Sequence, residues 1–208
     1  MMRRMPPLPF LFLLLSAPLS AQTNTTASAP SVMQSTSGQK LQIVGIHNAG
    51  KTTDVLYRGA QPNEQGLSEL KKLGIVTIID LRAEDREKVE WERKRAESLG
   101  MRFVYIPVNG WSAPTDQQVS EFLSVIRSDP QQKIFVHCLF GSDRTGVFVA
   151  TYRMAFQKWP ADLAIKEMYF FGFKGTWHPA MKTFVHDFPS RLKFEPAFSS
   201  IRTPSSQP

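Results

Sequence analysis

The stretch VHCLFGSDRTG, residues 136–146, leads from an apolar run through a tight turn into an apolar helical pattern. The run KIFV at 133–136 is β-branched and aromatic and has the length of a strand. Residues 146–157 continue as a helix that begins directly after the turn. Backbone N–H groups around such a turn form a nest for an anion, and the helix N-terminus adds partial positive charge. This stretch therefore predicts an anion-binding loop between a strand and a helix.

The chain has one cysteine, Cys138, and it stands where the predicted strand enters this loop. A lone cysteine is usually a small core hydrophobe, but the field of the loop also stabilises an anionic sulfur, which is the reactive form. Arg144 offers a planar fork that can bind two phosphoryl oxygens, and Gly141 lets the backbone approach closely. The combination favours a nucleophile, an anion cradle and a cation within one loop.

Strand-length apolar runs alternate with amphipathic stretches along most of the chain. Two further runs are VTII at 76–79 and FVYI at 103–106, and Thr115 with Gln118 forms the pattern of a capping box. Such alternation with continuous apolar strands predicts an α/β domain with a central, mainly parallel sheet flanked by helices. The predicted helices cover residues 63–72, 84–99, 116–127, 146–157, 161–171 and 178–187.

A second stretch, GIHNAGKT at 45–52, satisfies the written pattern of a nucleotide-binding P-loop. That mechanism requires the Lys-Thr pair to open a long helix whose N-terminus faces the phosphates. The residues that follow, TDVLYRG at 53–59, predict a short strand instead. We therefore expect no nucleotide site here.

The composition is that of one globular domain: 208 residues, 42% apolar, with a formal net charge of +7. The positive surplus suits an anionic substrate. The chain has no dense Lys/Arg run interleaved with aromatic residues, so we expect no nucleic-acid partner. A single cysteine excludes an intrachain disulfide and a thiolate metal cage.

Both ends of the chain differ from the middle. Residues 1–21 combine a basic start, an apolar core and small residues, which predicts a signal peptide cleaved after Ala21, with an uncleaved anchor as the alternative. The apolar core is shorter than the ~20 residues of a membrane span, so no stable span is expected after cleavage. Residues 22–39 predict a disordered linker, 40–195 the folded domain and 196–208 a loose tail. The expected location is the periplasm or the exterior.

The motif His-Cys, five residues, Arg-Thr-Gly resembles the signature of the protein tyrosine and dual-specificity phosphatase superfamily. The wider sequence resembles bacterial exported dual-specificity-like phosphatases and the atypical group of plants and fungi. Further similarity lies in YRGAQP at 57–62 and in the strand end DLR at 80–82. It continues after the loop at Tyr152-Arg153, Trp159 and Glu167-Met168, so that it covers about residues 41–188.

This resemblance implies that Cys138 attacks phosphorus and that a cysteinyl-phosphate intermediate is then hydrolysed by water. Thr145 would bond the sulfur, or serve only as a first-turn hydroxyl, and His137 would organise the loop. No metal or cofactor is implied. Phosphate would be bound by the loop residues Leu139, Phe140, Gly141, Ser142, Asp143, Arg144 and Thr145.

The proton donor to the leaving group has two candidates. Asp116 is the one acid in the segment 109–116, where the superfamily places its general acid, but it also falls in the first turn of a predicted helix. Asp143 lies within the loop, and myotubularin-like phosphatases carry an aspartate at the matching position. Solvent or substrate as the donor is the third alternative.

The expected substrate is a phosphorylated protein or small phosphate ester, with phosphotyrosine first and phosphoserine or phosphothreonine as further targets. An inositol phosphate or phosphoinositide is the alternative, although Ser142 stands where inositol-polyphosphate members carry lysine. A non-catalytic phosphate-binding module and a thiol-based sulfur or arsenate enzyme are the other classes considered. The intact pair of Cys138 and Arg144 argues against the binding module.

Overall fold

A computed structural model describes Met2 and residues 37–203 of the protein. The predicted signal peptide, apart from Met2, and residues 22–36 of the predicted linker lie outside the described residues. The described part contains a six-stranded sheet. The strands are β1 (Gln39–Lys40), β2 (Gly50–Lys51), β3 (Leu56–Ala60), β4 (Thr77–Arg82), β5 (Arg102–Val108) and β6 (Ile134–Cys138).

The helices in the described residues lie mostly where the apolar periodicity predicts them. The capping box is confirmed: the Thr115 side chain accepts from the Gln118 amide, and the Gln118 side chain accepts from the Thr115 amide. The helices are α1 (Glu64–Lys72), α2 (Arg86–Ser98), α3 (Asp116–Ser128), α4 (Asp143–Gln157), α5 (Ala161–Phe170), α6 (Pro179–Phe194) and α7 (Ser199–Arg202).

The sheet has the order β1-β2-β3-β6-β4-β5. Strand β6 pairs in parallel with both β3 and β4, and β4 pairs in parallel with β5, whereas β1 and β2 add antiparallel pairs at one edge. The predicted mainly parallel sheet is therefore confirmed. Because parallel strands end at the same edge, the ends of β3, β4 and β6 meet there, with Ala60 opposite Cys138.

Helices cover both faces of the sheet, so the strands are apolar on both sides. Neighbouring residues of one strand face different cores: Ile78 packs with helices α1 and α2, whereas Ile79 packs with α3 to α6. In the same way Phe135 and Val136 of β6 lie in different cores. This double cover holds β6 rigidly at the centre of the sheet.

The folded part extends further at both ends than the sequence patterns predict. Gly38 is buried and its amide donates to Glu167 Oε1 at 2.6 Å, so residues inside the predicted linker already pack on the domain. The tail predicted to be loose from Pro196 instead forms a 3₁₀ turn and α7, because Phe198 is buried against Phe188. Residues 204–208 lie outside the described residues.

The P-loop-like stretch does not open a helix, as expected from the sequence. Gly50 and Lys51 form β2, which pairs with β3. Lys51 is half-exposed and pairs with Asp54 at 2.6 Å. Among the described residues, no helix has the length and apolar character needed to cross a membrane.

Candidate active site

Cys138 ends the central strand and lies at the floor of a cavity. Its exposed fraction is 3%, although it lines a cavity of about 820 Å³ at the carboxyl edge of the sheet. The cavity receives side chains from the segment after β4, the segment after β5, the loop 139–142 and the segment before α6. Its other lining residues are Lys40, Asn48, Ala83, Glu84, Asn109, Gly110, Trp111, Leu139, Phe140, Ser142, Asp143, Arg144, Phe171, Gly172, Lys174, Trp177 and His178.

The loop after Cys138 is shaped for an anion. Helix α4 begins at Asp143, earlier than the predicted Gly146, so the first helical N–H groups belong to the loop itself. Ser142 at the N-cap makes no capping bond with its side chain. The unsatisfied amides at this helix start therefore remain available to phosphoryl oxygens.

Gly141 gives the loop its tight bend. Its φ of +70° lies in the left-handed region, which favours glycine. A β-carbon at this position would overlap the carbonyl group of Gly59 and lie 2.5 Å from the Ala60 amide nitrogen. Only a residue without a side chain can therefore place the loop this close to β3.

Arg58 and Asn48 donate hydrogen bonds to backbone carbonyl groups of the loop. Arg58 is fully buried, donates from Nη2 to the Gly141 carbonyl at 2.8 Å, and stacks 4.0 Å from the centroid of Phe171. Burial lowers the pKa of Arg58 to about 10, while the charges of Glu167 and Cys138 act against that shift. The Asn48 amide donates to the carbonyls of Phe140 and Phe171.

Arg144 faces the cavity with one edge of its guanidinium occupied. Nη1 and Nη2 donate to the two Glu84 oxygens at 2.8 and 2.7 Å, and Nη1 also donates to the carbonyls of Val108 and Leu81. Burial opposes the charge on Arg144, but Glu84 and then Cys138 raise its pKa above the ordinary value. Among the contacts within residues 37–203, none uses Nε–H, so the Nε/Nη2 edge can bind two phosphoryl oxygens.

The two predicted proton donors lie in different places. Asp143 lines the cavity; its Oδ2 accepts from the Ser142 hydroxyl at 2.7 Å, and its Oδ1 accepts from the Lys174 amide at 2.9 Å. Asp116 is not among the lining residues and is paired with Arg191 at 2.9 Å. The structure places Asp143 in the same cavity as Cys138 and leaves Asp116 outside it.

Thr145 and Gly141, two of the predicted phosphate-binding residues, are not among the residues that line the cavity. The Thr145 hydroxyl is buried and has no hydrogen-bond partner among the described residues. The predicted contact between this hydroxyl and the sulfur is thus not formed in this structure.

His137 belongs to a buried ionic cluster beneath Cys138. Its Nε2 lies 2.8 Å from Glu92 Oε1, close enough for an ion pair but out of line for a hydrogen bond. Burial opposes the charged form, but Glu92 and then Asp80 raise the pKa of His137 to about 9. Arg82 donates to both Asp80 and Glu92 at 2.7 Å. The cluster therefore places buried charges next to the end of β6, and the organising role of His137 stays a prediction.

The same cluster is the one group in residues 37–203 whose acid and imidazole atoms come close enough together to hold a metal ion. Arg82 points its guanidinium into it, so a fixed positive charge already occupies the place of a cation. The residues do not fit a metal centre.

Sequence reasoning missed Glu84, His178 and Arg58. Glu84 follows the end of β4, and parallel topology alone could have placed it at the site. Arg58 lies within the YRGAQP similarity, where its buried role has no sequence signal. His178 precedes α6 in a segment without any recognisable pattern.

The sequence of this chain is similar to those of known phosphatases. The chain is 26% identical over 160 residues to the dual specificity protein phosphatase TpbA of Pseudomonas aeruginosa, covering 77% of this chain and 67% of that protein. To the TpbA of another strain it is 27% identical over 126 residues, with 61% of this chain and 55% of that protein covered. This chain thus spans between half and two thirds of the TpbA sequences it matches.

Solved structures share the fold. A crystal structure of P. aeruginosa TpbA superposes with a TM-score of 0.63 at 22% identity, covering 79% of this chain and 96% of that one. The catalytic core of the PP-IP phosphatase SIW14 of S. cerevisiae superposes with a TM-score of 0.59 at 19% identity, covering 73% and 94%.

A family model described as DSP-PTPase phosphatase fused to NAD+ kinase matches residues 27–182. That range includes β1 to β6, the loop between Cys138 and Arg144, and the residues lining the cavity. The chain therefore belongs to this family of cysteine-dependent tyrosine and dual-specificity phosphatases.

Proposed function

We propose that this protein hydrolyses aryl phosphomonoesters, phosphotyrosine above all, through a cysteinyl-phosphate intermediate. The observation that carries the proposal is the position of Cys138 at the floor of a cavity that also holds the free edge of Arg144. Backbone amides at the start of α4 supply the remaining contacts to the phosphoryl oxygens.

The shape of the cavity supports a long aromatic substrate. Cys138 is 3% exposed, whereas Trp111, Phe140 and Trp177 on the lining are 64–70% exposed. The nucleophile is thus deep and the aromatic side chains form a rim. A phosphotyrosine ring can reach the floor and pack on this rim, whereas the short phosphoserine side chain spans less of the distance.

The charge of the lining favours a single phosphate group. Leaving aside the titrating Cys138 and His178, the lining has three cations, Lys40, Arg144 and Lys174, and two acids, Glu84 and Asp143, an excess of one positive charge (3 − 2). An inositol polyphosphate carries many more negative charges than this lining can neutralise. We therefore place the monoester of an apolar group before the polyanionic alternative.

In the proposed reaction the Cys138 sulfur attacks phosphorus, and the sulfur–phosphorus bond forms as the ester oxygen leaves. Arg144 and the loop amides bind the three equatorial oxygens through the transition state. Water then attacks the cysteinyl phosphate, and the sulfur leaves as the anion.

The test is hydrolysis of matched substrates by the purified protein. We expect turnover of a phosphotyrosine peptide to exceed that of the same peptide with phosphoserine and that of inositol hexakisphosphate. Cys138→Ser should abolish turnover but still bind orthovanadate, because Arg144 and the loop remain. Arg144→Lys should also lose most activity, since a point charge cannot form the two-point contact. Turnover by Cys138→Ser would refute the mechanism.

We also infer that the protein is exported to the periplasm or beyond. The support is the N-terminal sequence, with its basic start, short apolar core and small residues before Ala21. The mature N-terminus determined on protein from cell fractions tests this inference, and Gln22 as the first residue is the expected result. An intact N-terminus on cytoplasmic protein would contradict it.

A further inference from the structure

His178 shares the cavity with Cys138 and has no assigned role. It is the residue before α6, it is 8% exposed, and it lines the cavity. Its ring packs against Trp111, with centroids 5.3 Å apart and planes at 37°. Packing on both the helix start and an indole ring fixes the orientation of the imidazole.

One ring nitrogen is available to a substrate. Nδ1 is buried and has no hydrogen-bond partner among the described residues, so it cannot reach a molecule in the cavity. Nε2 lies 4.0 Å from Asp143 Oδ2, which is too far for a hydrogen bond but close for a charge interaction. The Nε2–H bond is thus free to point at a bound ester.

Asp143 is suited to support this ring rather than to donate a proton. Both of its oxygens already accept hydrogen bonds, from the Ser142 hydroxyl and the Lys174 amide. Both oxygens of Asp143 therefore act as acceptors within the site. Its Oδ2 lies 4.0 Å from His178 Nε2, so the carboxylate faces the ring.

The other carboxylates considered as proton donors are paired with arginine side chains. Glu84 is held by Arg144, whose two nitrogens keep the pKa of that carboxyl below its usual range. Asp116 lies outside the cavity and is paired with Arg191. The segment NGWSAPT at 109–115 contains no acid. The carboxylates of the site therefore leave the leaving group without a donor.

We propose that His178, supported by Asp143, is the catalytic residue that gives its proton to the leaving group; this rests on the proposed phosphatase function. The sulfur of Cys138 forms the bond to phosphorus with its lone pair, and the electrons of the broken P–O bond go to the ester oxygen. That oxygen takes the Nε2 proton, so a neutral phenol or alcohol departs. The neutral ring then accepts a proton from the attacking water, the S–P bond breaks, and phosphate and the Cys138 anion are released.

The test compares leaving groups. For each variant, kcat/KM is measured with phenyl phosphate and with p-nitrophenyl phosphate, because this ratio reports the step in which the leaving group departs. General acids contribute about 10²- to 10⁴-fold, so His178→Asn should lose a factor of that order on phenyl phosphate. The loss on p-nitrophenyl phosphate should be far smaller, since that leaving group needs little protonation. Asp143→Asn should show the same pattern in weaker form.

The matched control is His186→Asn on the same helix. His186 is 70% exposed and its imidazole forms a polar contact with Asp187, away from the cavity, so this variant should match the wild type on both substrates. Orthovanadate affinity shows whether the loop is intact in each variant. Equal losses of His178→Asn on the two substrates, or no loss, would overturn the donor assignment. A wild type that hydrolyses neither ester would instead refute the proposed function, with the assignment of His178 failing alongside it.

Discussion

Glu84 and Arg144 form a two-point ion pair, with Nη1–Oε2 and Nη2–Oε1 distances of 2.8 and 2.7 Å. Glu84 follows β4 and Arg144 begins α4, so the pair ties two loops of the site together. Because Glu84 occupies the Nη1/Nη2 edge of the guanidinium, the adjacent Nε/Nη2 edge is left for the phosphate. The acid therefore orients the cation that recognises the substrate.

Removing this acid should weaken phosphate recognition. Glu84→Ala is expected to lower kcat/KM about 10- to 100-fold, since charge-assisted hydrogen bonds contribute roughly 1.5–3 kcal/mol and part of this pair is exposed to solvent. Steady-state kinetics with p-nitrophenyl phosphate measure the change. Glu87→Gln, on the exposed side of α2, is the control and should match the wild type. An unchanged kcat/KM for Glu84→Ala would show that Arg144 is oriented without it.

Asp116→Asn should affect stability rather than chemistry. The Asp116 carboxylate lies in the first turn of α3 and pairs with Arg191, so its removal costs a partly exposed ion pair and a helix-dipole contact. Each of the two interactions contributes up to ~1 kcal/mol, and we expect the free energy of unfolding, measured in urea, to fall by about 1 kcal/mol. The ratio of kcat/KM between phenyl and p-nitrophenyl phosphate should stay at the wild-type value. A steep leaving-group dependence in this variant would restore Asp116 as the acid.

Peroxide should inactivate the protein, and bound phosphate should protect it. Cys138 lines the cavity and is the one cysteine of the chain, so its oxidised sulfur cannot form an intrachain disulfide. Brief exposure should be reversed by a thiol, whereas long exposure should yield the irreversible sulfinic acid. Measurements of residual activity and of the intact protein mass distinguish the reversible stage from the irreversible one. Inactivation at the same rate with and without saturating phosphate would place the oxidised residue outside the cavity.

The buried cluster should make stability depend on pH. The pKa of His137 is raised from 6.5 to about 9 in the folded state, so its charge stabilises the fold fully below the unfolded value. That stabilisation is lost as the pH rises from about 6.5 through about 9. The free energy of unfolding of the wild type should therefore fall over this window. Chemical denaturation at several pH values measures it.

His137→Gln should remove most of that pH dependence, although it also lowers stability at every pH. His186→Asn alters a solvent-exposed imidazole and should keep the wild-type slope. If the two variants give the same slope, the charge of His137 does not support the fold.

The core of the site could be predicted from sequence because its parts are contiguous. Cys138, the turn and Arg144 lie within one strand-loop-helix unit, whose local pattern fixes the geometry. The predicted start of α4 at Gly146 is too late, because the first residues of the helix, from Asp143, are polar and carry no apolar periodicity. The predicted end of α6 at residue 187 is too early, because the helix continues through Pro189 to Phe194 with Phe188 buried.

The groups around the nucleophile could not be predicted in this way. Glu84 is 60 residues from Arg144 in sequence, and a glutamate before an amphipathic helix has many ordinary roles. His178 reaches the cavity only because α6 packs on α4 and α5. Such positions depend on tertiary packing, which a periodicity argument does not contain.

The close approach of Gly141 to β3 also limits how this enzyme can diversify. A substitution at Gly141 would have to be accompanied by movement of Gly59 and Ala60, so single-step evolutionary change is blocked at that position. Leu139 and Phe140, in contrast, project outward from the same loop and are 38% and 69% exposed. Natural divergence and directed evolution alike should therefore change substrate preference at 139 and 140, and leave the backbone of the loop unaltered.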